Sequence, residues 1–271
     1  ITCRDWSSDV CSSDLNKAKQ IIRNYYAKQS VKNARYTIVQ TNSLKNEIIN
    51  RLGTVYDNKI IVIPSGIRPY NSNEEPSPKL KHILDVGCGN DCCYISFPHP
   101  HKNILRLIDA FSRVSKAIPD SRLLLTIDEK MLNDPHFNSV VNCIIDRIRS
   151  HNISDKIVLL GKISYSDISY LLSHVKLHIF PSLMESFGLP QIEAMGNGCP
   201  LITSDLPYAH DVCGDAAVYF NPLSVDSISE TVISLLKDNE LLASLKNKGL
   251  ERAALFQWDN IARQFIDIID R

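Results

Sequence analysis

The chain lacks an excess of charge of either sign and lacks any long apolar run, and both absences exclude classes of protein. Its 271 residues carry 30 basic and 30 acidic side chains. A protein that binds nucleic acid in bulk is strongly basic, so that class is excluded. No apolar run approaches the roughly 20 residues that cross a bilayer. A hydrophobic fraction of 44% indicates a globular chain, long enough for one full domain and part of another.

Paired cysteines are also absent. Eight cysteines occur, but none of them forms a CxxC pair, and no signal peptide is recognisable. We therefore expect free thiols in a reducing cytoplasm. Cys88, Cys92 and Cys93 lie near His99 and His101, which leaves a zinc site as the less favoured alternative.

The first fifteen residues differ in character from the rest. Residues 5–15, DWSSDVCSSDL, match one translated frame of a common sequencing-library adapter. We interpret residues 1–15 as an assembly artefact rather than evolved protein. Without Arg4 and the three aspartates of this segment, 29 basic and 27 acidic residues remain. The interpretation predicts a gene that starts further upstream and a chain truncated at its N-terminus.

Short apolar strands alternate with helices over most of the chain. Before residue 67 we predict a basic helix, the strand RYTIVQT, a helix capped by Ser43 and the strand KIIVIP. Residues 68–80 are polar and proline-containing, which is typical of a linker. Beyond them the expected strands are HILDVG, SRLLLTI, KIVLLG, LHIFPS, PLITS and AAVYF, with helices between and after them. This alternation predicts an α/β fold with a doubly wound parallel sheet.

The most informative segment is PSLMESFGLPQIEAMGNGCP, residues 181–200. A buried strand leads into a glycine-containing loop and then into a short helix that begins near Pro190. This order brings free backbone N–H groups and the positive end of a helix dipole to one spot, which suits a diphosphate. Glu185 precedes the loop, and Glu193 is expected in the first helical turn. Their carboxylates suit the vicinal hydroxyls of sugar rings on either side of a phosphate.

This run resembles the signature of the retaining, nucleotide-sugar-dependent glycosyltransferases of family 4, in which seven residues separate two glutamates. VIPSGI resembles the segment that closes the family's N-terminal domain, and PHKNILRLIDAF resembles the first helix of its donor-binding domain. FQWDNIARQF resembles the C-terminal helix that crosses back, with Trp258 as its anchor. The resemblance covers residues 34–269 and implies the GT-B fold, two Rossmann-like domains that face each other across a cleft. The implied divisions are a partial acceptor-side domain (16–67), a linker (68–80), a complete donor-binding domain (81–256) and a crossover helix (257–271).

The resemblance also implies roles for individual residues. Glu193 would bond the donor ribose, Glu185 would lie near the transferred sugar, and Lys102 would neutralise the leaving diphosphate. The backbone amides expected to meet phosphate and sugar oxygens are those of Ser186, Phe187, Gly188 and Leu189. Gly161 marks the turn near which the donor base is expected. Many family members carry an arginine before the lysine; here none is present, so either a histidine substitutes or the activity is reduced.

The implied activity is transfer of a hexose from a nucleoside-diphosphate sugar to a glycan or lipid-linked acceptor, with retention of configuration. The implied mechanism is front-face substitution without a covalent protein nucleophile. No cofactor or metal is expected, since this group usually needs none and no DxD element stands at a plausible site. By analogy with bacterial polysaccharide assembly, we expect a cytoplasmic protein with peripheral contact to the inner membrane and no nucleic-acid partner.

Two alternatives remain open. A chain without most of the acceptor-side domain would bind the donor and transfer nothing. The stretch HILDVGCGND resembles the first motif of S-adenosylmethionine-dependent methyltransferases, in which a glycine loop after the first strand receives the cofactor. That motif lacks its third glycine here, and no acidic residue ends a second strand about 20 residues further on. The glycosyltransferase is therefore the favoured prediction.

Overall fold

The architecture comes from a computed structural model that describes residues 14–67, 75–87 and 89–270, without the side chains of residues 14–21 and 23. The helices are α1 (Asp14–Asn33), α2 (Asn42–Leu52), α3 (Pro78–Asp85), α4 (Ile104–Ala117), α5 (Asn138–Ser150), α6 (Tyr165–His174), α7 (Leu189–Gly196), α8 (Pro207–Cys213), α9 (Val225–Lys237), α10 (Asn239–Ala254) and α11 (Trp258–Ile269). The strands are β1 (Thr37–Val39), β2 (Ile60–Val62), β3 (Asn90–Tyr94), β4 (Ser121–Leu125), β5 (Ile157–Leu159), β6 (Leu177–Phe180), β7 (Leu201–Ser204) and β8 (Val218–Phe220).

Six strands form one parallel sheet in the order β5-β4-β3-β6-β7-β8. Three successive residues of β4, Leu123 to Leu125, are completely buried. Side chains of a strand alternate between the two faces, so this run requires helices on both sides of the sheet. The predicted α/β fold with a parallel, Rossmann-like sheet is confirmed.

A smaller unit precedes the sheet. Strands β1 and β2 pair in parallel, and Leu44 and Ile48 of α2 pack with Ile60 in a separate apolar cluster. The predicted cap of α2 was wrong. Thr41 rather than Ser43 accepts the Leu44 N–H, at 3.3 Å, because the helix begins one residue before Ser43. Of the segment interpreted as an artefact, residues 1–13 lie outside the described residues, and the last two begin α1.

The first four residues of the predicted strand HILDVG, residues 82–85, belong instead to helix α3. Ser77 caps this helix by accepting the Leu80 N–H, and Pro78 occupies its first turn, where a missing N–H costs nothing. The helix includes the last three residues of the predicted linker, of which residues 68–74 lie outside the described part. The first strand of the six-stranded sheet in chain order is β3, which begins only at Asn90. It accommodates Asp91 because Arg122 of β4 contacts both carboxylate oxygens, at 2.8 and 2.6 Å.

The chain crosses between the two units twice, and the crossings contact each other. Ile67 forms a parallel bridge with Gln257, and its N–H donates to the Phe256 carbonyl at 2.7 Å. The Trp258 indole lies over Gly66, where an added Cβ would come within 2.5 Å of the ring. Trp258 therefore contacts the smaller unit as an anchor although half of it is exposed. Among the described helices none has the length and apolarity that crossing a bilayer requires.

Candidate functional site

The strand order places a crevice between β3 and β6. From β3 the chain adds β4 and β5 on one side, and it then returns to place β6 on the other side of β3. The connections that follow β3 and β6 therefore leave in opposite directions at the carboxyl ends of neighbouring strands. Such a topological switch point is where open parallel sheets bind their ligands. The loop 95–103 follows β3, and the loop 181–188 follows β6.

Asn103 holds these two loops together. Its side-chain amide donates to the carbonyl of Pro181, at 3.0 Å, and to that of Pro222, at 2.8 Å. Its φ of 60° lies in the left-handed region, which asparagine tolerates better than most residues. The Leu183 N–H also donates to the His101 carbonyl, at 2.8 Å. The two loops thus form one fixed rim.

A cavity of about 570 Å3 opens at this rim. Its lining comes from the two loops, from helices α6 and α7 and from the segments that follow β4 and β5. The lining residues are Ile95, Ser96, Phe97, His99, His101, Lys102, Thr126, Met131, Lys162, Ile163, Ile168, Met184, Glu185, Ser186, Leu189, Pro190 and Glu193. Among the predicted site residues, the structure brings together Lys102, Glu185, Ser186, Leu189 and Glu193 in this one cavity.

Three predicted residues lie outside this lining. Phe187 is buried and meets the Phe256 ring edge to face, with centroids 5.6 Å apart. Gly188 caps α7 with a φ of 85°. Gly161 lines a neighbouring cavity of about 800 Å3 together with Asp128, and Lys162 lines both cavities. The roles predicted for Phe187 and Gly188 concern their backbone amides, and the role predicted for Gly161 concerns its turn, so their absence from the lining leaves these three predictions untested.

Lys102 and Glu185 form an ion pair inside the cavity. The Lys102 Nζ lies 2.5 Å from the Glu185 Oε1, and the two side chains are only 16% and 14% exposed. The ammonium group also lies 5.9 Å from the centre of the Phe180 ring. Little water screens such a pair, so its electrostatic interaction is stronger than that of a surface pair. The sequence predicted both residues, but it contained no sign that they touch.

Glu193 is the fifth residue of α7, so its predicted place in the first turn was wrong; the helix begins at Leu189. It lines the cavity one turn further along the helix. Burial raises the pKa of its carboxyl. When ionised, a carboxylate at this position is suited to accept hydrogen bonds from hydroxyl groups of a ligand.

Two histidines line the cavity together with Lys102, and whether either of them substitutes for the missing arginine stays a prediction. His99 and His101 line the cavity with their rings stacked, centroids 5.6 Å apart and planes 11° apart. Lys162 supplies a further cation that the sequence prediction missed; its position directly after Gly161 was the available signal.

None of the cysteines that the structure describes lines this cavity. Cys92, Cys93, Cys199 and Cys213 are buried, and burial raises the pKa of each thiol. Cys88 lies outside the described residues. Nowhere in the described part of the chain are three His, Cys, Asp or Glu side chains grouped as metal ligands would be.

The fold and the position of the cavity define a GT-B type architecture, and solved structures agree. Sucrose-phosphate synthase from Thermosynechococcus elongatus matches with a TM-score of 0.77 at 22% identity, over 96% of this chain and 63% of that one. Anabaena Alr3699/HepE, solved in complex with UDP and glucose, matches with a TM-score of 0.76 at 20% identity, over 89% of this chain and 64% of that one.

The family follows from the sequence. The model for glycosyl transferases group 1 matches residues 90–252, and the chain belongs to that family. The O-antigen chain mannosyltransferase B of Escherichia coli is 34% identical over 40% of this chain and 28% of its own length. The O-antigen chain mannosyltransferase RfbU of Salmonella typhimurium is 26% identical over 88% of this chain and 60% of its own length. The chain thus spans less than two thirds of either relative.

Proposed function

We propose that this chain carries the donor site of a retaining hexosyltransferase, which moves a hexose from a nucleoside-diphosphate sugar to a glycan or lipid-linked acceptor. The observation that carries the proposal is the meeting of Lys102, Glu185 and Glu193 in one cavity at the switch point of the sheet. The names of the O-antigen mannosyltransferase relatives favour mannose as the hexose and a cell-surface polysaccharide as the product.

The cavity accommodates the three parts of such a donor. Lys102 receives the diphosphate, Glu193 accepts hydrogen bonds from the ribose hydroxyls, and Glu185 contacts the hexose. The Lys102–Glu185 pair is compatible with this arrangement because an ammonium has three donors and keeps Glu185 while it binds a phosphate oxygen. The donor base occupies the end of the cavity near Lys162 and Ile163, next to the Gly161 turn.

The chemistry needs charge stabilisation more than a protein nucleophile. As the bond between the hexose and the diphosphate breaks, negative charge grows on the leaving phosphate oxygen, and a fixed cation lowers that barrier directly. Lys102 and the amino end of α7 supply this charge, so the proposal includes no metal cofactor. The acceptor hydroxyl attacks the anomeric carbon from the same face that the diphosphate leaves, and this side of attack retains the configuration. The departing diphosphate takes the proton of the hydroxyl.

The proposal assigns the donor to residues 81–256 and the acceptor side to residues 16–67, with residues 257–271 crossing between them. It places the protein in the cytoplasm, in peripheral contact with the inner membrane where a lipid-linked acceptor is presented. The alternative of a donor-binding module without transfer has one specific observation in its favour: the described residues that line the cavity all fall within the range from Ile95 to Glu193. The methyltransferase alternative loses its basis, because the expected strand before the glycines is helix α3.

The test is a transfer assay with GDP-mannose and UDP-glucose as donors and a lipid-linked glycan as acceptor. We measure release of nucleoside diphosphate and, by NMR, the anomeric configuration of the product. Lys102→Met is expected to lower the rate by about 100-fold, as loss of one fixed transition-state contact does. Lys237→Met, an exposed and distant substitution, is the matched control. An inverted product or a fully active Lys102→Met would contradict the proposal, and donor binding without transfer would support the binding module.

A further inference from the structure

Two consecutive carbonyl groups of the loop 181–188 are held by side chains from different elements. The Ser186 carbonyl accepts a hydrogen bond from the Thr41 hydroxyl, at 3.1 Å. The Phe187 carbonyl accepts one from the Gln191 amide, at 3.3 Å. Thr41 caps α2 in the smaller unit, whereas Gln191 lies in the first turn of α7. The loop beside the cavity is therefore fixed from two directions.

Both donors are themselves rigidly placed. Thr41 is buried, and its oxygen accepts hydrogen bonds from the Ser43 hydroxyl, at 3.1 Å, and from the Leu44 N–H, at 3.3 Å. Gln191 is completely buried, and its carbonyl oxygen accepts from the Thr203 hydroxyl, at 2.7 Å. A buried amide with such partners has one orientation, so its N–H points reliably at the loop.

Fixing a carbonyl also fixes the N–H of the following residue. In a planar trans peptide the C=O and N–H bonds point in opposite directions. The Ser186 carbonyl, turned towards Thr41, sends the Phe187 N–H the other way, and the Phe187 carbonyl does the same for the Gly188 N–H. Within the described residues neither N–H has a hydrogen-bond acceptor. A Cβ on Gly188 would lie 2.5 Å from the Gln191 Nε2, so only glycine permits this approach.

We propose that Thr41 and Gln191 are positioning residues that aim the Phe187 and Gly188 N–H groups at the donor diphosphate. Neither residue lines the cavity, and each acts through a loop carbonyl. Through the Thr41 hydroxyl, the smaller unit contacts the loop 181–188 directly. The inference rests on the proposed function, since it requires that a diphosphate binds beside this loop.

The test follows the Gly188 amide in protein labelled with 15N-glycine, which contains only 10 glycines. The Gly188 resonance is assigned by its loss in Gly188→Ala, and GDP and UDP are titrated in turn. We expect the nucleotide that binds to shift this resonance strongly. Thr41→Val and Gln191→Met are each expected to weaken binding by about fivefold to tenfold, the effect of one hydrogen bond. Thr41→Ser, which keeps the hydroxyl, should restore it.

A second Thr41 variant separates loop positioning from helix capping. Thr41→Asp still caps α2 but donates nothing to the Ser186 carbonyl, so it should bind as weakly as Thr41→Val. Ser224→Ala removes the cap of the distant helix α9 and should bind like the wild type. If Gln191→Met does not fold, the Thr41 variants alone test whether a side-chain donor to a loop carbonyl positions the loop. Wild-type affinity in Thr41→Asp, or an unmoved Gly188 resonance, would overturn the inference while leaving the donor site intact. Failure of the wild type to bind either nucleotide would overturn the proposed function itself.

Discussion

At the scale of single residues, Glu193 combines a place in the cavity lining with a cost to stability. Burial raises the pKa of its carboxyl, so the folded state favours the protonated form. The contribution to stability is therefore complete below the ordinary pKa of glutamate and is lost as the pH rises through the raised pKa. Glutamine has nearly the same shape and carries no charge, so a glutamine at position 193 avoids this loss of stability.

We predict that Glu193→Gln melts at a higher temperature than the wild type at pH 7. A gain of about 1 kcal/mol corresponds to about 2–4 °C. The difference should disappear as the pH falls below the ordinary pKa of glutamate, about 4.3, because the carboxyl is then protonated in both the folded and the unfolded chain. Thermal unfolding followed by circular dichroism measures it. Glu185→Gln is the matched control and should lose stability, because it breaks the ion pair with Lys102. A lower melting temperature for Glu193→Gln at pH 7 would contradict the account.

His178 gives the free energy of unfolding a second dependence on pH. Its contribution is lost as the pH falls, whereas that of Glu193 is lost as the pH rises. The ring is completely buried, its Nδ1 lies 3.3 Å from the Cys93 sulfur, and its Nε2 has no partner among the described residues. Burial lowers its pKa to about 3. Its contribution to stability is therefore complete above the ordinary pKa of histidine, about 6.5, and falls as the pH is lowered towards the folded-state value.

We predict a loss of about 1.4 kcal/mol per pH unit from this group below about pH 6, as one proton is taken up on unfolding. In His178→Phe that part of the slope should be absent, since a phenyl ring suits the site between Tyr94 and Phe180. Denaturant unfolding at a series of pH values measures the slope. His136→Gln, at an exposed position, should leave it unchanged. If the free energy of unfolding falls equally steeply with pH in the wild type and in His178→Phe, protonation of His178 is not the cause of the loss.

At the scale of secondary-structure elements, Asn103 connects the ends of β6 and β8 to the start of α4. Asn103→Asp keeps the tolerance for a left-handed backbone but removes both donors to the Pro181 and Pro222 carbonyls. We predict a loss of about 1–3 kcal/mol in the free energy of unfolding, because the Pro181 carbonyl loses the amide that it accepts from. The Pro222 carbonyl keeps only the longer hydrogen bond from Arg106, at 3.3 Å. Asn103→Ala should also introduce backbone strain of about 1 kcal/mol that Asn103→Gly avoids. Equal stability of the alanine and glycine variants, measured with denaturant, would exclude that strain.

Element prediction succeeded where the signal was local. The strand β4 reads as an unbroken apolar run because both of its faces are covered. The failure at HILDVG has a physical reason: a short apolar run fits a strand or a buried helix face, and the Ser77 cap that decides for α3 lies inside a stretch that looked like linker. The strand β3 was missed for the opposite reason. Its polar start becomes acceptable only when Arg122, 31 positions away, pairs with Asp91.

At the scale of the whole molecule, the candidate site was predictable in its parts but not in its connections. Loop and helix signals around residues 181–200 indicated Glu185 and Glu193, and the family resemblance added Lys102. The ion pair between Lys102 and Glu185 joins residues 83 positions apart, and the Thr41–Ser186 hydrogen bond joins residues 145 positions apart. Only the folded sheet creates such contacts, because the switch point brings together loops that are distant in sequence.

The central claim is that the cavity at the switch point binds a nucleoside-diphosphate sugar through Glu193. The most direct measurement is calorimetric titration with UDP, GDP, their hexose conjugates and S-adenosylmethionine, for the wild type, Glu193→Ala and the exposed control Glu240→Ala. The account predicts that one nucleotide sugar binds the wild type and Glu240→Ala equally and binds Glu193→Ala about 10- to 100-fold more weakly, since hydrogen bonds to a charged group are lost. Equal affinity in Glu193→Ala, or binding of S-adenosylmethionine alone, would contradict it.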